Sequence, residues 1–306
     1  MQKKPKPSRP SPPGPRAYPV READELLRYL LKTLAGQGRN SIKAMLARGQ
    51  IHVDGQAVTA YNYSLQPGQT VTVHKEKPPE APPLVGLSIL YEDEHLLVVD
   101  KDAGLLSIAT EQEKEWTAYR QLMEHVRAQK PEARVFIVHR LDRDTSGVMM
   151  FAKSEEVQQR LQTHWRDLVK ERTYVALVEG AVRKPEGTIA SWLKESKTLK
   201  MYSSPYPNDG QHAVTHYRTL RTGNGYSLLE VNLETGRKNQ IRVHMQDIGH
   251  PIAGDKKYGA RLRDLHRLGL HAKVLAFEHP MDGRMMRFEA EVPKALLRPF
   301  AGKGKA

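Results

Sequence analysis

The 306-residue chain contains no cysteine. Disulfides, thiolate nucleophiles and thiolate-ligated zinc are therefore excluded. No uninterrupted apolar run approaches the ~20 residues that span a bilayer. The N-terminal segment also lacks the apolar core of a signal peptide. The chain thus reads as a soluble, cytoplasmic protein with no membrane partner. No Gly-x-x-x-x-Gly-Lys-Ser/Thr or Gly-x-Gly-x-x-Gly run is present, so a nucleotide cofactor is not expected. Despite 13 histidines, no His-Glu-x-x-His or EF-hand pattern occurs, so a metal is not expected either. Hydrophobic residues make up 39%, below the ~45–50% of globular chains, a range that also counts glycine.

Basic charge is abundant, with a formal net charge of +13. Residues 1–20 hold seven of the 20 prolines, together with Lys3, Lys4, Lys6, Arg9 and Arg16 and no acid. Such a segment cannot bury enough apolar surface to offset its ordering entropy. Residues 1–19 therefore read as a disordered basic tail, either a solubilising leader or an arm that adds phosphate contacts. The remainder still carries +8. An excess of that size favours polyanions through phosphate neutralisation and counterion release.

Three segments follow. In residues 20–76, Leu26, Leu27, Leu30, Leu31 and Leu34 fall on one helical face. Gly36–Gly38 breaks that helix. Ile42, Met45 and Leu46 mark a second helix, with Arg39, Lys43 and Arg48 on its polar side. Asp54-Gly55 between two alternating stretches predicts a hairpin turn with positive φ at both positions. This is a small α+β module. Residues 77–86 are a proline-rich linker. Residues 87–295 mix strands and helices without βαβ alternation, which predicts α+β: a largely antiparallel mixed sheet with packed helices. Residues 296–306 read as a C-terminal tail.

Two clusters could carry chemistry. His139-Arg140-Leu141-Asp142-Arg143-Asp144-Thr145-Ser146-Gly147 lies between apolar runs, so its ends are anchored and its centre is a loop. Asp142 between two arginines keeps its negative charge, as a carboxylate nucleophile requires. The same residues also suit a plain Asx turn with surface ion pairs. Thr235-Gly236-Arg237-Lys238-Asn239-Gln240-Ile241-Arg242-Val243-His244 follows a strand and opens a helix. A glycine turn there would present N–H groups to an anion. Arg237 or Arg242 could bind phosphate or pair with a distant carboxylate. An ordinary solvated basic helix is the other reading.

In order along the chain, these clusters resemble the signature of RluA-type pseudouridine synthases. His139–Gly147 matches the family's His-Arg-Leu-Asp-x-x-Thr-Ser-Gly motif, and Thr235–His244 its Thr-Gly-Arg-x-x-Gln-Ile-Arg-Val-His motif. Lys170-Glu171-Arg172-Thr173-Tyr174 resembles the strand carrying the active-site tyrosine. Gly249–Gly259 and Leu270-His271-Ala272 fit the stretches that follow. Lys101-Asp102-Ala103-Gly104 departs from the usual Lys-Pro-x-Gly. Residues 20–76 are similar to an RNA-binding domain shared with a small-subunit ribosomal protein, through Arg39–Lys43 and Arg48–Gly55.

The resemblance implies a cofactor-free isomerase acting on uridines in structured RNA, ribosomal RNA ahead of transfer RNA. It implies Asp142 as nucleophile, Tyr174 against the target base and Arg242 as the partner of Asp142. Arg140 would fill the space left by the extruded base. Arg237, Arg39, Lys43 and Arg48 are the expected RNA contacts. Nothing calls for an obligate protein partner, and a monomer is expected. Two rivals are a non-catalytic RNA-binding assembly factor and a two-carboxylate glycoside hydrolase using Asp142 and Asp144. The first loses force because all three site residues are present. The second explains neither the basic charge nor the small module, and three tryptophans are few for a carbohydrate cleft.

Overall fold

The computed structural model describes residues 16–74, 83–207, 209–262 and 264–301. Most of the expected tail (1–15), residues 75–82 of the module's end and linker, and residues 302–306 lie outside these. The chain divides into two compact units, one of residues 1–81 with 128–131, the other of 82–127 with 132–306.

The first unit comprises β1 (Arg16–Pro19), β2 (Asp24–Glu25), α1 (Leu26–Thr33), α2 (Arg39–Ala47), β3 (Ile51–Val53), β4 (Gln56–Ala57), β5 (Ser64–Leu65) and β6 (Thr70–Val73). Leu26, Leu27, Leu30, Ile42 and Leu46 pack with Ile51, Val53 and Val71 into its core. Leu31 lies off this face and is exposed, because five residues along a helix are not in phase with Leu26. Asp54 and Gly55 both have positive φ, at 49° and 85°, between β3 and β4. Residues 16–19, read from sequence as part of the tail, instead form β1, an edge strand antiparallel to β6. An edge strand tolerates Pro19 and covers a row of backbone groups on β6 that would otherwise be unpaired.

The second unit contains β7 (Leu87–Glu92), β8 (Leu96–Lys101), α3 (Ala118–Gln129), β9 (Phe136–Ile137), β10 (Ser146–Ala152), α4 (Glu155–Thr163), α5 (Trp165–Leu168), β11 (Val169–Glu179), β12 (Glu186–Glu195), β13 (Met201–Ser204), β14 (Gln211–Gly223), β15 (Tyr226–Leu233), α6 (Gln240–Asp247), β16 (Leu270–Glu278), β17 (Met285–Glu289) and α7 (Lys294–Leu297). One sheet runs β13-β12-β14-β15-β11-β16-β10-β8-β7, with β17 beside β16 and β9 beside β10. Among the paired strands of the described residues, only β10 and β16 run parallel.

The neighbouring strands β8 and β10 carry unbroken apolar runs, Leu96–Val99 and Val148–Ala152, because both faces are covered there. Leu97, Val99, Met149 and Phe151 pack against α3 through Leu122 and Val126. Their neighbours Leu96, Val98, Val148 and Met150 pack against α4 through Val157 and Leu161. Residues 296–301 are likewise not a tail: Leu296 is fully buried in the cluster that holds Leu177 and Tyr226, and Phe300 packs against that cluster. The apolar spacing of Val292, Leu296 and Phe300 was the signal for this.

Candidate active site

The loop carrying Asp142 joins β9 to β10 and is pinned on both sides of that residue. Leu141 is buried in the core. Its carbonyl accepts a hydrogen bond from Ser107 Oγ at 2.8 Å. On the other side, the Arg143 carbonyl accepts from Lys101 Nζ at 3.0 Å and from the Gly104 amide at 2.9 Å. Lys101 is fully buried and also donates to the Asp102 and Leu105 carbonyls. Burial pulls its pKa down to about 8 against the opposing pull of Asp144 and Asp142. The turn closes with the Thr145 amide on the Asp142 carbonyl. Gly147 then passes close to β16, where a Cβ would lie 2.0 Å from the Ala272 carbonyl oxygen.

Arg242 comes from α6. It donates to Asp142 Oδ2 through Nη1 at 3.1 Å. Its stronger partner is Asp255, met through Nε at 2.7 Å and Nη2 at 2.9 Å. Nη1 also donates to Asn239, and the guanidinium lies 4.9 Å from the Tyr258 ring centre. Burial opposes the Arg242 charge, but the two carboxylates outweigh it and raise its pKa. Asp142 Oδ1 accepts no hydrogen bond from any described residue. Thus the guanidinium is fixed by the buried carboxylate of Asp255 and presents one N–H to Asp142.

Tyr174 lies on β11 at a register shift, where Thr173 faces Val274 but Tyr174 faces Ala272. Irregularities of this kind re-aim side chains beside active sites. Burial raises the pKa of its phenol, with Asp142 adding to the effect and Arg172 opposing it, so the phenol is protonated near neutral pH. Asp142, Tyr174, Arg242, Arg140 and Arg237 all line one cleft of about 630 Å³. Arg140 is exposed, and Arg237 donates from Nε to the His212 carbonyl. Asp144 does not line this cleft. It pairs at 3.3 Å with Arg143 and borders a second, wider one of about 1370 Å³, together with Lys238, Lys256, Arg261 and Arg267. Arg39, Lys43 and Arg48 are exposed on α2 and at its end, in the first unit, with Lys43 Nζ 4.9 Å from the Tyr61 ring centre.

Half of the second motif holds the helix in place. Gln240 Oε1 accepts from Thr235 Oγ1 and from the Arg237 amide, while its Nε2 donates to the Val214 carbonyl and Thr215. His244 is buried between Ser191 and Thr215. The expected anion cradle is thus filled at Arg237 by the Gln240 side chain. His139, His244 and His271 are all neutral, with pKa values pulled down by burial to about 3, 4 and 4. His139 Nε2 accepts the Met150 amide proton, which fits a neutral ring.

Sequence reasoning missed Asp255, Asn239 and Tyr258 around Arg242, and Ser107 and Lys101 behind the loop. Asp255 and Tyr258 fall in the Gly249–Gly259 stretch, where only turn formation was legible.

The family model described as RNA pseudouridylate synthase matches residues 95–247, which hold Asp142, Tyr174 and Arg242. YlyB of Bacillus subtilis, an uncharacterised RNA pseudouridine synthase, is 36% identical over 280 residues, covering 89% of this chain and 92% of its own. The chain belongs to the RNA pseudouridylate synthase family. It is therefore an isomerase that forms pseudouridine in RNA. Ribosomal large subunit pseudouridine synthase D of Vibrio cholerae is 34% identical over 272 residues, 83% of each chain. Among solved structures, human RNA pseudouridylate synthase domain containing 4 shares the fold, with a TM-score of 0.58 at 24% identity over 69% of this chain and 92% of that one. No helix among the described residues is long and apolar enough to cross a membrane.

Proposed function

We propose that this synthase modifies ribosomal RNA, with Asp142 as the catalytic carboxylate, Arg242 as its positioning partner and Tyr174 as the face against which the uracil is held. One observation carries the reading: Asp142 has one oxygen held by Arg242 and the other without a hydrogen bond from any described residue, in the cleft that Tyr174 also lines.

The reaction breaks the bond between N1 of uracil and C1′ of ribose, turns the base, and joins C5 to C1′. The proton on C5 leaves to solvent and N1 takes one up, so no oxidant, reductant or energy source is needed. A carboxylate serves either by adding to C1′, as in retaining glycosidases, or by removing a proton from C2′. In both routes the uracil must stay bound while detached, and the protonated Tyr174 ring suits that restraint. Extruding the uridine costs a few kcal/mol. Arg140, which is exposed and lines the cleft, would occupy the vacated space in the stack, and Arg237 would contact the flanking backbone.

The first unit would act as a separate RNA-binding domain, through phosphate contacts by Arg39, Lys43 and Arg48. Nothing in the site requires a second protein chain, and the protein would act as a monomer in the cytoplasm. Ribosomal RNA is favoured by the similarity to a large-subunit synthase. Carbodiimide-dependent primer extension tests this on RNA from cells with and without the protein. A stop lost from large-subunit ribosomal RNA is expected. A stop lost only from transfer RNA would overturn the substrate assignment.

A further inference from the structure

The cleft that Tyr174 lines is also walled by Trp165, Arg166 and Arg172. This end takes no part in the chemistry described so far, yet its composition is unusual. Arg172 is half-buried, and one Nη donates to the Leu233 and Glu234 carbonyls at 3.0 Å each. It meets no carboxylate among the described residues, and neither does the exposed Arg166 beside it. A half-buried cation without a counter-ion is costly, and burial together with Arg166 lowers its pKa against the opposing effect of Tyr174. Of the acids lining the cleft, Asp142 is held by Arg242, Glu234 meets His216 at 2.6 Å and Asp167 meets His164 at 3.8 Å, so none of them forms an ion pair with Arg140, Arg166, Arg172 or Arg237. The end is thus set up for an anion.

It also has an aromatic wall. The Trp165 ring packs 5.0 Å from the His139 ring and 6.0 Å from the Arg172 guanidinium. Gly236 leaves room for that guanidinium, since a Cβ there would lie 2.8 Å from its Nη1. An aromatic ring with arginines around it suits a planar base joined to a phosphate.

We propose that this end of the cleft is a subsite for the nucleotide directly flanking the target uridine, with its base against Trp165 and its phosphodiester on Arg172 and Arg166. The subsite makes the enzyme sensitive to the residue beside the uridine without base-specific hydrogen bonds. The inference rests on Asp142 marking the place of the uridine.

The test uses binding and not turnover. In an Asp142→Asn protein, Trp116→Phe and Trp192→Phe leave Trp165 as the sole tryptophan emitter. The probes are a short single-stranded oligocytidylate with one central uridine, and the same RNA with an abasic residue immediately 5′ or 3′ of it. The intact RNA should quench Trp165 emission several-fold more than one of the two abasic RNAs. By anisotropy of labelled RNA, Trp165→Leu and that abasic site should each weaken binding several-fold, and together no more than either alone. Trp165→Phe, which keeps a ring, should retain the dependence on the flanking base. Arg172→Met and Arg166→Ser should each reduce the salt slope by about one. Equal quenching by all three RNAs, no quenching at low salt, or independent losses from Trp165→Leu and the abasic site would overturn the subsite. An Asp142→Asn protein that still made pseudouridine would sink the nucleophile assignment and leave the quenching result standing.

Discussion

Arg242 donates two hydrogen bonds to the buried carboxylate of Asp255, at 2.7 and 2.9 Å, and one to Asp142, at 3.1 Å. The order of these contacts assigns the work. Asp255 fixes the guanidinium, and the guanidinium in turn fixes Asp142. Asp255→Asn keeps the shape but removes the charge that anchors Arg242. Its turnover should fall by one to two orders of magnitude, with RNA affinity within a few-fold. Arg242→Ala should lose nearly all turnover, and Arg242→Lys should recover only part, because an ammonium lacks the planar fork. Single-turnover kinetics beside filter binding separates the two effects. A loss mainly in affinity would make Arg242 a phosphate contact.

The pKa of Lys101, lowered from the usual 10.5 to about 8, predicts a pH-dependent stability. The folded protein releases this proton near pH 8, whereas the unfolded chain keeps it to about 10.5. Below pH 8 the buried charge therefore costs about 3 kcal/mol, and that cost disappears as pH rises from 8 to 10.5. Urea midpoints of the wild type, taken relative to Lys101→Met, should rise across that window. A flat difference would mean that the three carbonyls fully offset the burial. Lys101→Met itself should be less stable throughout, because it leaves the Asp102 and Leu105 carbonyls without their donor.

Gly147 is irreplaceable for a steric reason. Its φ of 116° disfavours any side chain, and the atom a Cβ would strike is backbone that cannot rotate away. Gly147→Ala should prise β10 from β16 and lower the thermal midpoint by many degrees, whereas Gly225→Ala, with open space around it, should cost far less.

The loop of Asp142, the strand of Tyr174 and the helix of Arg242 are legible in the amino-acid sequence because apolar runs and turn residues bracket them. Their convergence in one cleft is not, since 100 residues separate Asp142 from Arg242 and pairing across a sheet leaves no local pattern. Asp255 is invisible there because a single acid in a glycine-rich stretch looks like a turn residue. Strands β12 and β13 carry little sequence signal because few of their residues are buried, which dilutes the apolar alternation that marks a strand. The edge strand β1 is hidden by the proline content of the residues before it.

The exposed cations of α2 should matter for binding alone. Arg39→Glu with Lys43→Glu should weaken RNA binding and flatten its dependence on salt, while the single-turnover rate at saturating enzyme stays within about twofold. Electrophoretic mobility shifts across a salt series give the slope. A slowed chemical step at saturation would show that the first unit contributes to catalysis.

Asp142 and Asp144 are two residues apart, but only Asp142 meets Arg242 and lines the cleft with Tyr174. Asp144 pairs with exposed Arg143. The most direct measurement is tritium release from RNA labelled at C5 of uracil, since that proton leaves only when the base is rejoined through C5. Asp142→Asn, folded by circular dichroism, should release no tritium above background. Asp144→Asn should retain substantial activity, and the wild type should be indifferent to a chelator. Release persisting in Asp142→Asn, or vanishing equally in Asp144→Asn, would contradict the assignment of a single catalytic carboxylate.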